Sequence, residues 1–169
     1  MLIGLGGASR AGKTTLAGLL SDHLSKSGVN VIIVHQDQHV VSEDELPLIR
    51  DKRDWEVPSS IDWASLYAAV RLSLDIADIV IVEGLFCYSE PRLNVMMDVK
   101  LFVNIDKELF VSRKKEDLRW GSEPEPDWYI EHIWLSFLKY GLPLGITIDH
   151  YLDGSVFFDV EGIVAAVMK

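Results

Sequence analysis

The residues with the clearest chemical signature form a glycine-rich loop near the start of the chain. The pattern G-x-x-x-x-G-K-[ST] lies here between an apolar run and a segment of helical period, which is the context in which it binds phosphate. A turn that merely joins a strand to a helix is the alternative, but such a turn has no need of the Lys-Thr pair. We expect the phosphates of ATP to contact Gly7, Ala8, Ser9, Arg10, Ala11, Gly12, Lys13, Thr14 and Thr15.

Two side chains of this loop and one later carboxylate are candidates for work on the bound phosphates. Lys13 is expected to bridge the β- and γ-phosphates, and Thr14 offers its hydroxyl to Mg²⁺ on the same nucleotide. Glu83 ends the apolar run 79–82 and precedes a glycine, a position from which a carboxylate can hold Mg²⁺ directly or through water. The alternative for Glu83 is a loop or helix-capping carboxylate.

Asp37 is the candidate general base. It follows the apolar run 29–34 by three residues, and this spacing predicts a position near the γ-phosphate. There it would accept the proton of an attacking hydroxyl, as a kinase requires. A turn-forming aspartate is the alternative interpretation.

A second group of charges lies between residues 107 and 119, where five of the chain's 16 basic residues fall within 13 positions. We expect a lid over approximately 107–128 that closes on the transferring phosphoryl group, with Arg113 supplying catalytic charge. The alternative is a solvated helix face paired with Glu108, Glu116 and Asp117. The five basic residues are Lys107, Arg113, Lys114, Lys115 and Arg119.

Two tryptophans and a glutamate indicate how an aromatic substrate could bind. Trp55 and Trp120 have charged neighbours, so they could offer flat faces to an aromatic base, although a core position is equally consistent with the pattern. Glu56 stands beside Trp55, and a carboxylate beside an aromatic ring suits a sugar diol. An ordinary surface glutamate is the alternative.

The elements that must position these residues alternate between short β-branched runs and stretches of helical period, which predicts an α/β fold with a mostly parallel five-stranded sheet covered by helices on both faces. Residues 36–60 and 107–128 interrupt this regularity, and a capping signal is expected at 59–62. Strands are expected at 2–5, 29–34, 79–82, 99–103 and 146–152, and helices from Lys13, over 63–74, near 130–138 and over 160–168.

Composition narrows the classes of function. The 169 residues suit one domain, 1–169, and 26 acidic against 16 basic residues leave a net charge of -10, which disfavours nucleic acid as a partner. A single cysteine excludes an internal disulfide framework and a cysteine-based zinc site, and His35 with His39 alone do not make a metal site. The sequence has no apolar stretch of about 18 residues and no signal-peptide pattern, so we expect a cytoplasmic protein that does not span a membrane. The oligomeric state, monomer or homodimer, stays open.

These residues resemble the nicotinamide riboside kinases, a branch of the uridine-kinase-like P-loop nucleoside kinases, over most of the chain. The resemblance implies a P-loop NTPase fold, ATP and Mg²⁺ as cofactors, and phosphorylation of the ribose 5′-hydroxyl of nicotinamide riboside, with nicotinic acid riboside as a related acceptor, in NAD salvage. The shared motifs are Gly12-Lys13-Thr14-Thr15-Leu16-Ala17, Gln36-Asp37, Trp55-Glu56, Ile61-Asp62-Trp63, Val82-Glu83-Gly84, His132-Ile133-Trp134, Leu138-Lys139-Tyr140 and Tyr151-Leu152-Asp153-Gly154.

The resemblance also implies roles for individual residues. Asp37 would be the base at the 5′-hydroxyl, and Thr14 and Glu83 would serve Mg²⁺. Asp153 and Gly154 would lie near the adenine of ATP.

The substrate-binding residues implied by the resemblance depart from the family pattern. Glu56 and Lys115 would hold the ribose diol, and Trp55 and Trp120 would sandwich the pyridine ring. The family usually has Asp, Arg and two Tyr at these four places. Trp still suits a cationic ring because it is the best cation–π partner, whereas Lys115 cannot make the bidentate contact of an arginine.

Three classes of function are therefore compared. The first is a nucleoside kinase, with nicotinamide riboside favoured and uridine, cytidine or another small molecule as the alternative acceptor. The second, a GTPase-like switch, lacks an N-K-x-D motif, and its only D-x-x-G, at 159–162, lies past the last predicted strand. The third is an ATP-binding module without catalysis, which would leave Asp37 and the basic segment without a role.

Overall fold

The computed structural model describes residues 1–117 and 125–168, and its centre is a five-stranded sheet. Every pairing within this sheet is parallel, in the order β2-β5-β1-β6-β7, and a separate antiparallel hairpin joins β3 to β4. The predicted α/β class and the five-stranded parallel sheet are confirmed. The strands are β1 (Leu2–Gly7), β2 (Val31–His35), β3 (Leu48–Ile49), β4 (Lys52–Arg53), β5 (Ile79–Gly84), β6 (Val99–Asn104) and β7 (His150–Asp153).

The sequence accounts for the two central strands. β1 and β5 are buried along their whole length, and their apolar runs, β-branched in β5, suit strands covered on both faces. Helices lie on both sides of the sheet, as predicted. The last strand is shorter than expected, because 146–149 precede it as an irregular segment, and β2 starts two residues later than expected.

Within the residues that the structure describes, six helices flank the sheet. The four expected helices are present, and α3 and α4 were not predicted. None of the helices in the described ranges meets the length and hydropathy that a bilayer span requires. The helices are α1 (Lys13–Lys26), α2 (Trp63–Leu74), α3 (Pro91–Asn94), α4 (Lys107–Lys115), α5 (Asp127–Ser136), which continues as a π-helical turn to Gly141, and α6 (Val160–Val167).

Two local expectations need correction. The capping signal at 59–62 acts through its last residue, since the Asp62 side chain accepts a hydrogen bond from the Ser65 N–H at 2.9 Å. The segment 107–128 is not irregular throughout, because α4 occupies its first nine residues and α5 begins at Asp127. Asp106 caps α4 by accepting from the Leu109 N–H at 2.7 Å.

The parallel order brings the carboxyl ends of the strands to one edge of the sheet. There His35 at the end of β2 is in register with Glu83 on β5, and Asn104 on β6 is in register with Asp153 on β7. Ligands of open α/β sheets bind outside this edge. The fold therefore gathers the predicted site residues of separate strands at one place.

Candidate active site

The predicted phosphate-binding loop joins β1 to α1 through three residues with positive φ, namely Gly7 at 144°, Arg10 at 62° and Gly12 at 103°. A Cβ at Gly7 would collide with the carbonyl of Val103 on β6, so only glycine fits there. α1 starts directly after Gly12, which has no side chain to cap it. The first N–H groups of this 14-residue helix therefore have no intrahelical partner, as in other helix N-termini that bind phosphate.

Lys13 is buried at the start of α1, and its ammonium donates to the carbonyl of Ala8 across the loop at 2.9 Å. Burial lowers the pKa of Lys13, and the neighbouring carboxylates of Glu83 and Asp37 oppose this shift. The lysine therefore lies between the loop and both predicted carboxylates. That position suits a cation that contacts the terminal phosphates of a nucleotide.

Four side chains converge beside Lys13. The Thr14 hydroxyl donates to Glu83 Oε1 at 3.0 Å, and His35 Nδ1 lies 2.8 Å from the same oxygen. His35, Asp37 and Glu83 each bring one ligand atom to within 4.8 Å of the others. Glu83 is buried, whereas Asp37 is exposed at the open side of the cluster.

The donor atoms of this cluster fit a magnesium–nucleotide complex. Mg²⁺ is bound in proteins through one or two oxygen ligands together with substrate phosphates, and Thr14 and Glu83 supply such oxygens next to the phosphate loop. The uncapped start of α1 and the buried ammonium of Lys13 supply the complementary positive charge for the phosphates. The structure thus brings the predicted phosphate, metal and base residues together.

The helix α4 lies against the phosphate loop. The Arg113 guanidinium donates to the carbonyl of Arg10 at 3.1 Å, and the Arg10 side chain forms an ion pair with buried Asp117 at 3.8 Å. Arg113 is therefore held at the loop where the catalytic charge was predicted. The loop and the start of the expected lid are directly connected.

The outer lysines of α4 pair with α5 rather than with Glu108 and Glu116 on their own helix. Lys107 contacts Glu131 at 2.7 Å, and Lys115 contacts Asp127 at 2.9 Å. The ion pair of Lys115 with Asp127 lies at the protein surface, so the structure does not bring Lys115 to Glu56. The predicted ribose contact of Lys115 is thus replaced by a helix–helix contact.

Lys114 is the lysine of α4 that faces Glu56. Its side chain is buried, it lies 3.8 Å from Asp117, and its charge is the strongest influence that lowers the pKa of Glu56. Burial has the larger effect and, with the charges of Asp54 and Glu125, raises the pKa of Glu56 to about 7. Glu56 therefore changes its charge near neutral pH.

Trp55, next to Glu56 in the chain, borders a cavity of about 570 Å³. Trp55 is 40% exposed, and buried Tyr129 of α5 lines the same cavity. Of the charged groups in the wall, Lys52 pairs with Glu125 at 3.0 Å. The lining residues are Glu43, Leu48, Asp51, Lys52, Arg53, Trp55, Glu125 and Tyr129.

The residues predicted near adenine lie at the end of β7. Gly154 packs against the phosphate loop, because a Cβ there would collide with the Ala11 carbonyl, and its N–H donates to the Asn104 carbonyl at 2.8 Å. Asp153 accepts from the Ser155 N–H at 2.8 Å, and hydrogen bonds from the Ser155 hydroxyl and, to a lesser extent, from this N–H lower the pKa of Asp153. Both Asp153 and Asn104 line a cavity of about 420 Å³ at this edge. The predicted role of Trp120 falls on residues 118–124, outside the described residues.

The sequence alone missed several residues of the site. Lys114 was not separated from Lys115, and no site role was assigned to His35 or His132. Asp54, which lies 2.8 Å from His132 Nε2, was not considered. Lys114 could have been found, because in a helix it lies four residues after Phe110 and therefore on the same, buried face. The pair of Asp54 and His132 could not, because its two residues are 78 positions apart and no local sequence pattern marks them.

Comparisons with known proteins agree with this geometry. No protein-family model matches the chain. The chain is 27% identical to a uridine kinase of Lactobacillus johnsonii over 143 residues, which cover 69% of this chain and 67% of the relative. It spans about two thirds of the length of the curated uridine kinases it matches.

Solved structures show the same fold. A possible uridine kinase from Bacillus stearothermophilus superimposes with a TM-score of 0.59 at 20% identity, over 90% of this chain and 88% of that one. A shikimate kinase from Aquifex aeolicus gives a TM-score of 0.57 at 18% identity, over 99% and 96% of the two chains. The chain therefore has the α/β fold of P-loop kinases and is similar in sequence to uridine kinases.

Proposed function

We propose that this protein is a nucleoside kinase that transfers the γ-phosphoryl group of ATP to a ribose 5′-hydroxyl, with nicotinamide riboside as the preferred acceptor. The observation that carries the proposal is the convergence, at one edge of the sheet, of an uncapped phosphate-binding helix, Lys13 and the Asp37–Glu83 carboxylates. A protein that only sensed ATP would not need an exposed carboxylate beside the ammonium that contacts the phosphates. The similarity to uridine kinases supports the same reaction class.

The chemistry follows from the positions of these groups. The 5′-oxygen attacks the γ-phosphorus, the bond from phosphorus to the β–γ bridging oxygen breaks, and ADP leaves. Asp37 accepts the hydroxyl proton, and Lys13 and Arg113 stabilise the negative charge on the transferring group. A bound Mg²⁺ would neutralise charge on the phosphate oxygens, and Thr14 and Glu83 are the residues that would hold it.

Glu56 and Trp55 are proposed to bind the riboside. Glu56 is close enough to Lys13 to act on its pKa, so the turn lies within reach of the phosphate loop. Its carboxylate would accept hydrogen bonds from the ribose diol, and Lys114 rather than Lys115 is the neighbouring cation. The exposed face of Trp55 would stack on the base.

The charge of the cavity wall favours a cationic base such as a pyridinium. The wall has three acidic residues and two basic ones; Lys52 pairs with Glu125 and Arg53 with Asp44 at 3.5 Å, which leaves the carboxylates of Glu43 and Asp51 to face a cationic ring. A positively charged ring between these carboxylates and the Trp55 indole gains both Coulomb and cation–π attraction. A neutral pyrimidine would gain neither.

Uridine is the second candidate acceptor, because the curated relatives that match the chain are uridine kinases. Both candidates use the same phosphate loop and base, so they differ only in what the Trp55 cavity holds. Their relative turnover therefore decides between them.

The test is acceptor-dependent ADP release from Mg-ATP with nicotinamide riboside, nicotinic acid riboside, uridine, cytidine and adenosine, and with no acceptor as the control. We expect the highest kcat/KM with nicotinamide riboside. Faster turnover of uridine or cytidine would retain the kinase and reject the cationic acceptor. Binding of ATP without turnover of any acceptor would contradict the proposal.

A further inference from the structure

A buried carboxylate beneath the Trp55–Glu56 turn has no role in the chemistry above. Asp54 is 7% exposed, and its Oδ1 accepts two hydrogen bonds, from His132 Nε2 at 2.8 Å and from the Glu56 N–H at 3.0 Å. Because an ionised carboxylate only accepts, the His132 ring donates from Nε2. One oxygen atom therefore joins the backbone of Glu56 to a side chain of α5.

The cost of burying Asp54 gives this arrangement its stiffness. A buried carboxylate without hydrogen-bond partners is strongly unfavourable, so breaking either of these two hydrogen bonds costs free energy. The Asp54 N–H also donates to the Pro47 carbonyl at 2.8 Å. On the other side of the turn, the Ser60 hydroxyl lies 3.0 Å from the carbonyl oxygen of Trp55. The two residues proposed to touch the riboside are thus fixed from both sides.

Helix α5 contacts the same region at further points. Lys52 of β4 pairs with Glu125 just before α5 and lies 5.1 Å from the Tyr129 ring, and Arg50 lies 4.2 Å above the Trp128 ring. These contacts hold the hairpin to the first turn of the helix. His132 lies one turn further along α5, and Asp54 connects it to the Glu56 backbone.

We propose that Asp54 and His132 are positioning residues for the acceptor: the pair fixes the Glu56 backbone and thereby sets riboside affinity without acting on the transferred group. The inference rests on the proposed function, since it assumes that Glu56 binds the acceptor. A hydrogen bond to a charged group contributes enough for its loss to weaken riboside binding by about tenfold. ATP is bound by other residues and is unaffected.

The test compares steady-state kinetics of five variants with the wild type. His132→Ala is expected to raise the riboside KM about tenfold, with kcat and the ATP KM changed less than about twofold. His132→Gln keeps an N–H donor near the Nε2 position and should recover most of the loss. Asp54→Ala combined with His132→Ala should add little to Asp54→Ala alone. His23→Ala, on α1, is the matched control and should match the wild type.

Several results would overturn the inference. These are a wild-type riboside KM in His132→Ala, equal rises in both KM values, and additive effects in the double variant. If the wild type lacks acceptor-dependent turnover, the proposed function fails, and amide hydrogen exchange then tests the pair separately. Faster exchange of the Glu56 amide in His132→Ala supports the positioning role, and unchanged exchange overturns it.

Discussion

Acceptor binding is expected to depend on pH through Glu56. Burial and the charges of Asp54 and Glu125 outweigh Lys114 and His132 and raise the pKa of this carboxyl to about 7. Only the ionised carboxylate can accept from both hydroxyls of a ribose diol, so affinity for the riboside should fall as the pH drops through this value. ATP binds elsewhere, and its affinity gives the internal control.

The magnitude follows from the fraction of Glu56 that is ionised. With a pKa of about 7 that fraction is about 0.9 at pH 8 and about 0.1 at pH 6, which predicts a loss of riboside affinity of about tenfold. At the ordinary value of 4.5 the change over the same range would be a few per cent, roughly, and would escape detection. The size of the change in riboside affinity between pH 6 and pH 8 therefore shows whether burial raises the pKa of Glu56.

The assay is the dissociation constant of nicotinamide riboside between pH 6 and 8, followed by the change in the tryptophan fluorescence of the protein on binding. Nicotinamide riboside carries a permanent positive charge and does not titrate in this range, so the profile belongs to the protein. Glu56→Gln should bind weakly at every pH and lose the dependence. Lys114→Met removes the cation that lowers the Glu56 pKa and should move the midpoint upward. A wild-type profile that is flat, or that persists in Glu56→Gln, would refute the reasoning.

Three further outcomes test the site. Lys13→Ala should lose ATP affinity and turnover together, because its buried ammonium faces the phosphate loop; equilibrium binding of ATP checks this. Asp37→Asn should keep ATP affinity and lower kcat by about 10²–10⁴-fold, and wild-type turnover would remove Asp37 as the base. Trp55→Ala should raise the riboside KM well above any change in the ATP KM; a larger effect on ATP would place the ring in the other pocket.

The sheet and the phosphate loop were predictable because their signals are local. Continuous apolar runs in β1 and β5 indicate buried parallel strands, and the loop motif between β1 and α1 specifies both its backbone and its anion. The end of each strand then follows from the parallel order. This is why Asp37, just after β2, and Glu83, near the end of β5, were placed at one edge and do lie together.

Helix α4 was missed because its sequence is dominated by charge. Phe110 is its one fully buried apolar side chain, so it lacks the apolar stripe that marks α1 and α2. The capping residue Asp106 was a readable signal. Once the helix is recognised, Lys114 falls four residues after Phe110 on the buried face, and Lys115 falls outside it. Because α4 was not predicted, Lys115 was expected next to Glu56, where the structure has Lys114.

Residues that act on the acceptor through a partner are harder to predict than residues that act on phosphate. The phosphate loop binds its ligand with its own backbone, so one short segment carries the signal. The turn that we propose binds the acceptor is held by Asp54, whose histidine partner comes 78 positions later, and neither residue is unusual within its own segment. His132 becomes the partner of the buried Asp54 carboxylate only because α5 packs against this part of the chain. The signal for phosphate binding is thus local in this chain, whereas the turn that we propose binds the acceptor is held by long-range contacts.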